Sequence, residues 1–175
     1  MGWLNGRHRP PLRQPFRLAF AMKPLRLRRL TANERALACE MFGAGIAPER
    51  VRILALPFWS RAFVAGPGLI VWPAATVRAD FGDAGTPLRV QAVFVHELTH
   101  VWQAQNGISL ILEKLRAGDH DASYAYDLSR EPDFSALNIE QQAMVVEHAF
   151  TLSRGGKAPH APELYARAQA SWWRV

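Results

Sequence analysis

Val93-Phe94-Val95-His96-Glu97-Leu98-Thr99-His100-Val101-Trp102 is the stretch on which the reading of this 175-residue chain turns. Apolar residues surround it on almost every side of a helical wheel, so it reads as a helix buried in the middle of a domain. At about 3.6 residues per turn, two histidines four apart stand one above the other, and both imidazoles can reach a single metal ion. Glu97 then lies beside that ion, where its carboxylate can take a proton from a bound water. Two imidazoles and a carboxylate on a buried helix need partners, and a metal supplies one.

With six His in the whole chain, about 0.01 matches to His-Glu-x-x-His are expected by chance. The pattern is that of zinc peptidases. The expected cofactor is Zn²⁺, which lowers the pKa of a bound water toward about 7 and leaves Glu97 as the catalytic base. A catalytic zinc needs a third protein ligand and an open position. The metzincin pattern requires Gly and His where this chain has Gln103 and Asn106, which excludes that class. The remaining donors are His120, Asp121, Asp127, Glu140, Glu147 and His148.

Glu140 is favoured as the third ligand, beside His96 and His100. It falls in the first turn of an expected helix, and the small Ala143 one turn later lets that helix pack closely on the motif helix. The same position also suits plain capping, because an acid in a first turn complements the helix dipole. Glu147 and Gln142 are alternatives as groups that orient a ligating imidazole. Tyr124 or Tyr126, between the two helices, is a candidate donor to an oxyanion.

The other elements follow from local signals. Thr31-Ala32-Asn33-Glu34 is a capping box that opens a helix ending at Phe42, before Gly43. Short apolar runs between turn residues predict strands at 51–56, 61–65 and 69–72, the last offering an edge to an extended peptide. Thr86-Pro87 predicts the N-cap and first turn of the motif helix, which should end at Asn106-Gly107. A short helix at 110–116, a loop over 117–137, a helix over 139–154 capped by Asn138, and a last helix from Pro162 carrying Leu164, Trp172 and Trp173 complete the order. Helix, strands, then helices predict an α+β domain with a small sheet. The expected divisions are a basic arm at 1–28, a domain at 29–156 and a helical tail at 157–175.

Composition narrows the function classes. The chain is 49% hydrophobic and 21% charged, which is enough apolar material for a core. Its one cysteine, Cys39, makes neither an intramolecular disulfide nor a Cys-based zinc finger. No apolar run is long enough to predict a membrane span. The net charge of +6 is concentrated in residues 1–30, which hold eight cations and no acid, leaving 13 cations against 15 acids in the rest. That distribution argues against nucleic-acid binding, since the basic patch belongs to an arm and not to the domain. The arm is a poor secretory leader, its apolar stretch at 16–22 being broken by Arg17. The expectation is a cytoplasmic chain whose export, if any, uses a leaderless route.

The segments Leu30-Thr31 through Phe42-Gly43, Val51-Arg52-Ile53, Phe94 through Gln105, and Ile139-Glu140-Gln141-Gln142-Ala143 resemble the small bacterial Vgr-related proteins. Those are similar in turn to the HExxH domain of many bacterial toxin and secretion-associated proteins. The resemblance implies a zincin-like metallopeptidase fold of the Glu-zincin (gluzincin) type, with an HExxH active-site helix, His96, His100 and Glu140 as metal ligands and Glu97 as base. It implies a zinc-dependent hydrolase acting on a peptide or protein substrate, or alternatively a catalytically degenerate zincin serving as a type VI secretion-linked adaptor. The chain has no repetitive spike segment, and Met144 stands where related Glu-zincins often carry an acid four residues after the third ligand.

Overall fold

The computed structural model describes residues 26–118, 121–130 and 133–172. Four strands, β1 (Leu27–Arg29), β2 (Arg52–Leu56), β3 (Phe63–Val64) and β4 (Leu69–Pro73), form one sheet in the order β1-β2-β4-β3. β2 and β4 run parallel, and β1 and β3 pair antiparallel at the two edges. Five α-helices are described: α1 (Ala32–Phe42), α2 (Leu88–Gln105), α3 (Leu110–Ala117), α4 (Ile139–Ser153) and α5 (Pro162–Trp172). The expected α+β class with a small sheet is observed, and the sheet is mixed. No helix among the described residues is long and apolar enough to cross a membrane.

α2 is the axis of the core. It packs along α4 on one side and meets β4 and α1 on the other. Phe94 is fully buried on α2 and stacks on Phe81 with ring centroids 4.8 Å apart, while Trp72 of β4 lies 4.3 Å from Phe81. Burying a Phe side chain in this way contributes about 1.5–3 kcal/mol. Farther along α2, Trp102 stacks on Phe42 of α1 at 5.8 Å. The helix ends as expected at Asn106, with Gly107 taking the positive φ of 88° that a side chain disfavours.

Three expectations are corrected. The strand at 69–72 is not an edge: β4 lies between β2 and β3, and the edge beside the functional cavity belongs to β3, which covers Ile70 and Val71. That strand has two residues, not the five of 61–65, because only Phe63 and Val64 find partners on β4. Thr86 does not cap α2. Pro87 occupies the N-cap position without a side-chain bond, and the Thr86 hydroxyl donates instead to the Asp80 carbonyl at 3.0 Å.

The Thr31 box forms, but its Glu34 does more than cap. Its carboxylate is sealed from solvent and accepts four hydrogen bonds: two from the Arg28 guanidinium at 2.6 Å each and one each from the backbone N–H groups of Thr31 and Phe81 at 2.8 Å. A buried charge held by a bidentate guanidinium and backbone donors is satisfied without water. This pair fixes strand β1 to the start of α1, so Leu27 and Arg28, read with the arm, are part of the sheet. At the other end of the chain, α5 buries Tyr165 and Ala168 and packs against α4. Trp173 and the arm before residue 26 lie outside the described residues.

Candidate metal centre

His96 and His100 rise from one face of α2, and α4 crosses so that its first turn meets them. Asn138 caps α4, accepting from the N–H groups of Glu140 and Gln141 at 2.9 Å each, while the Gln141 side chain accepts from the Asn138 N–H at 3.0 Å. Capping is therefore done by neighbours, and the Glu140 carboxylate is turned away from the helix end toward α2. Its Oε2 lies 3.2 Å from His100 Nε2 and 3.4 Å from His96 Nε2. One ligand atom from each of the three residues falls within 4.8 Å of the others, and all three residues are largely shielded from solvent. Buried His96, His100 and Glu140 thus form a group that can hold a metal ion. Ala143 is fully buried between the helices.

Each imidazole also has a partner on its other nitrogen. His96 Nδ1 lies 3.1 Å from Glu147 Oε2, and His100 Nδ1 lies 2.8 Å from Gln103 Oε1. Gln103 in turn donates to the Ile139 carbonyl at 3.0 Å and to Gln142 Oε1 at 2.9 Å, and Gln142 donates to the carbonyls of Phe134 and Leu137. This buried amide chain fixes the His100 ring and the start of α4 together. Partners of this kind set the tautomer and direction of a ligating imidazole, and their loss costs about 10–100-fold in metal affinity. Gln103→Leu is accordingly expected to weaken any metal binding by this group by about that factor while the chain stays folded, measured with added zinc by competition with a chromophoric chelator; unchanged affinity would remove Gln103 from the site.

The electrostatics suit a cation. Burial by itself would pull the His96 pKa down, but the Glu140 and Glu147 carboxylates against its two nitrogens outweigh burial and raise it to about 9. Burial opposes ionisation of Glu140, yet the two imidazoles and Lys114 hold its carboxyl well below the usual range. Without a metal the cluster therefore keeps a proton on His96, and a divalent ion would take that proton's place. Glu97 differs from its neighbours. Burial raises its pKa, and its Oε2 is sealed from solvent with no hydrogen-bond partner among the described residues. A buried carboxylate oxygen is ordinarily satisfied by a protein group, a water or a ligand.

These side chains line one end of a cavity of about 690 Å³ that also takes in Trp59, Arg61, Lys114 and Tyr124. Of the two tyrosines weighed, Tyr124 borders the cavity and accepts from Arg61 Nη2 at 3.1 Å. Tyr126 is elsewhere, its hydroxyl bonded to His148 Nδ1 and, at 2.7 Å, to Tyr165. His148 is thereby engaged away from the cluster. Asp127 closes a turn on Ser129, with its Oδ1 3.0 Å from the Ser129 N–H. His120 and the Asp121 side chain lie outside what the structure describes. Sequence reasoning missed Gln103 as a member of the site, although its place three residues after His100 on one helix face was a usable signal. It also missed Lys114, whose Nζ lies 3.2 Å from Glu140 Oε1 and which no local pattern marks.

No known family profile matches the chain. It is 30% identical over 133 residues to the type VI secretion system spike protein VgrG2b of Pseudomonas aeruginosa, the match covering 70% of this chain and 13% of that protein. The chain thus spans about one eighth of the length of the curated relative it matches. Among solved structures it is similar to the effector domain of Pseudomonas aeruginosa VgrG2b, with 28% identity and a TM-score of 0.61 over 82% of this chain and 80% of that one. The chain is thus similar over most of its length to the effector domain of a bacterial type VI spike protein.

Proposed function

We propose that the chain is a type VI secretion-associated effector-type domain whose cavity hydrolyses peptide bonds with the help of a zinc ion held by His96, His100 and Glu140. Similarity to the effector domain of a type VI spike protein supports the association with secretion. The hydrolytic part of the reading rests on the unpartnered, buried Glu97 oxygen beside a His-His-Glu group at the end of an open cavity. Two imidazoles and one carboxylate are a donor set that suits zinc and leaves a position for water. The α+β fold with this helix pair is then a zincin-like one of the Glu-zincin type.

When bound, zinc supplies a Lewis acid that makes water nucleophilic near neutral pH. The chain's own groups do the rest. Glu97 accepts a proton from the attacking water and returns it to the departing amine, a task matched by a carboxyl whose pKa burial has raised. Gln103 and Glu147 hold the two imidazoles in register. Tyr124, at the cavity wall with Arg61, is placed to donate to the oxygen that gains charge as the carbonyl is attacked.

The test is the metal content of the purified full chain by elemental mass spectrometry, followed by cleavage of unstructured polypeptides read by peptide mass spectrometry. One zinc per chain together with cleavage is the expected result. One zinc without cleavage of any polypeptide would favour a binding module with a structural metal, and no metal under non-chelating conditions would overturn the reading.

A further inference from the structure

The charges around the cavity are sorted. Its acids among the described residues, Glu97, Glu140 and Glu147, all sit at the histidine end. Lys114 pairs with Glu140 there, and Arg61, Arg78 and Arg89 complete the charged lining. Among the described residues the lining carries three carboxylates and four cations. This does not reflect the bulk of the protein, because residues 31–175 carry 13 cations and 15 acids. The excess of cations is local to the cavity that holds the histidine cluster.

Of these cations, Arg78 and Arg89 have no carboxylate partner among the described residues. Arg61 bonds Tyr124 and Lys114 bonds Glu140. Arg78 also brings an Nε that is sealed from solvent without a hydrogen-bond partner. Its backbone is held in place, since its carbonyl accepts from Arg28 Nη2 at 3.1 Å, within the same cluster that anchors Glu34. Arg89 stands seven residues before His96 on α2, on the face that carries Val93, His96 and His100 into the cavity. At a rise of about 1.5 Å per residue that is about 10 Å along the helix, or about three residues of extended peptide.

We infer that the cavity selects acidic peptides, with Arg89 and Arg78 receiving carboxylates that lie within a few residues of the bond to be cut. The inference deepens the proposed peptide hydrolysis and rests on it for the position of that bond. Guanidinium groups bind carboxylates through paired N–H donors, so they discriminate an acid from its amide by charge and by geometry. Trp59 and Phe63, with ring centroids 5.5 Å apart, add apolar surface to the same lining.

The experiment measures binding separately from cleavage. Short fluorescein-labelled peptides alternating Ala with Asp and Glu, and their Asn and Gln counterparts, are titrated into the zinc-supplemented full chain and followed by fluorescence anisotropy. The acidic peptide is expected to bind about tenfold more tightly than the amide peptide, and Arg89→Gln to remove most of that preference. Arg50→Gln, an equal loss of charge at an exposed position outside the cavity, is expected to leave it intact. Arg78→Gln is the second variant, and Arg89→Lys should restore only part of the discrimination. Equal binding of both peptides, equal losses in Arg89→Gln and Arg50→Gln, or displacement by a single-stranded oligonucleotide at lower concentration than by the acidic peptide would each overturn the inference. Tight acidic binding with no cleavage of either peptide would overturn the hydrolase reading and leave the inference standing.

Discussion

Glu97→Gln is expected to keep one zinc per chain and to lose peptide hydrolysis by about 10²–10⁴-fold, the contribution of a positioned general base. Gln keeps the size of the side chain and its amide oxygen, so the buried position beside the histidines stays filled. What disappears is the capacity to take a proton, which the raised pKa and unpartnered Oε2 of Glu97 prepare. Zinc retention is the control that separates this outcome from collapse of the site, because Glu97 is not among the three residues whose ligand atoms converge. Parallel measurement of metal content and turnover decides it. Turnover near that of the unmodified chain would end the role assigned to Glu97.

The second large effect is on the metal itself. The structural zinc of zinc-finger peptides is worth about 10–16 kcal/mol at neutral pH; on that scale each of four ligands carries about 3–4 kcal/mol, or about 10²–10³-fold in affinity. Glu140→Ala is expected to weaken zinc binding by at least that factor. It removes a ligand and also leaves Lys114 Nζ, 3.2 Å from Glu140 Oε1, facing the two imidazoles without its counter-charge. Glu147→Ala is expected to cost less, because Glu147 touches the far nitrogen of His96 and acts on the ion through that ring. Elemental analysis after dialysis, with thermal unfolding in the presence and absence of added zinc, reads both. If Glu147→Ala loses the metal and Glu140→Ala keeps it, the third ligand has been misassigned.

Much of this was legible in the order of residues. The capping box at Thr31, the Asn138 cap and the end of α2 at Asn106-Gly107 are signals spanning four residues or fewer, and the structure shows each of them. The same holds for the pairing of His96 with His100, since a helix places residues four apart together whatever surrounds it. Thr86 misled because its hydroxyl had a better acceptor at the Asp80 carbonyl, which a capping rule does not see. Strand β1 was hidden because Leu27-Arg28-Arg29 looks like more of a basic arm until Glu34 and Phe81 are brought beside it. β3 is shorter than its apolar run because only Phe63 and Val64 come into register with β4, and register is a property of two strands.

The sequence by itself determined the face of α2 that carries His96 and His100, the helix that carries Glu140, and an α+β order of elements, because each depends on contacts within one or two turns of chain. Only the tertiary structure decided that Glu140 meets the histidines while Glu147 and Gln103 stand behind them, and that Tyr124 and not Tyr126 faces the cavity. It also brought Arg78 from a loop to the same wall as Arg89 from α2. Those residues are separated by tens of positions. Their meeting is set by how α2 packs on α4 and the sheet, where buried side chains must interlock and buried polar groups must be satisfied together, a condition no local stretch contains.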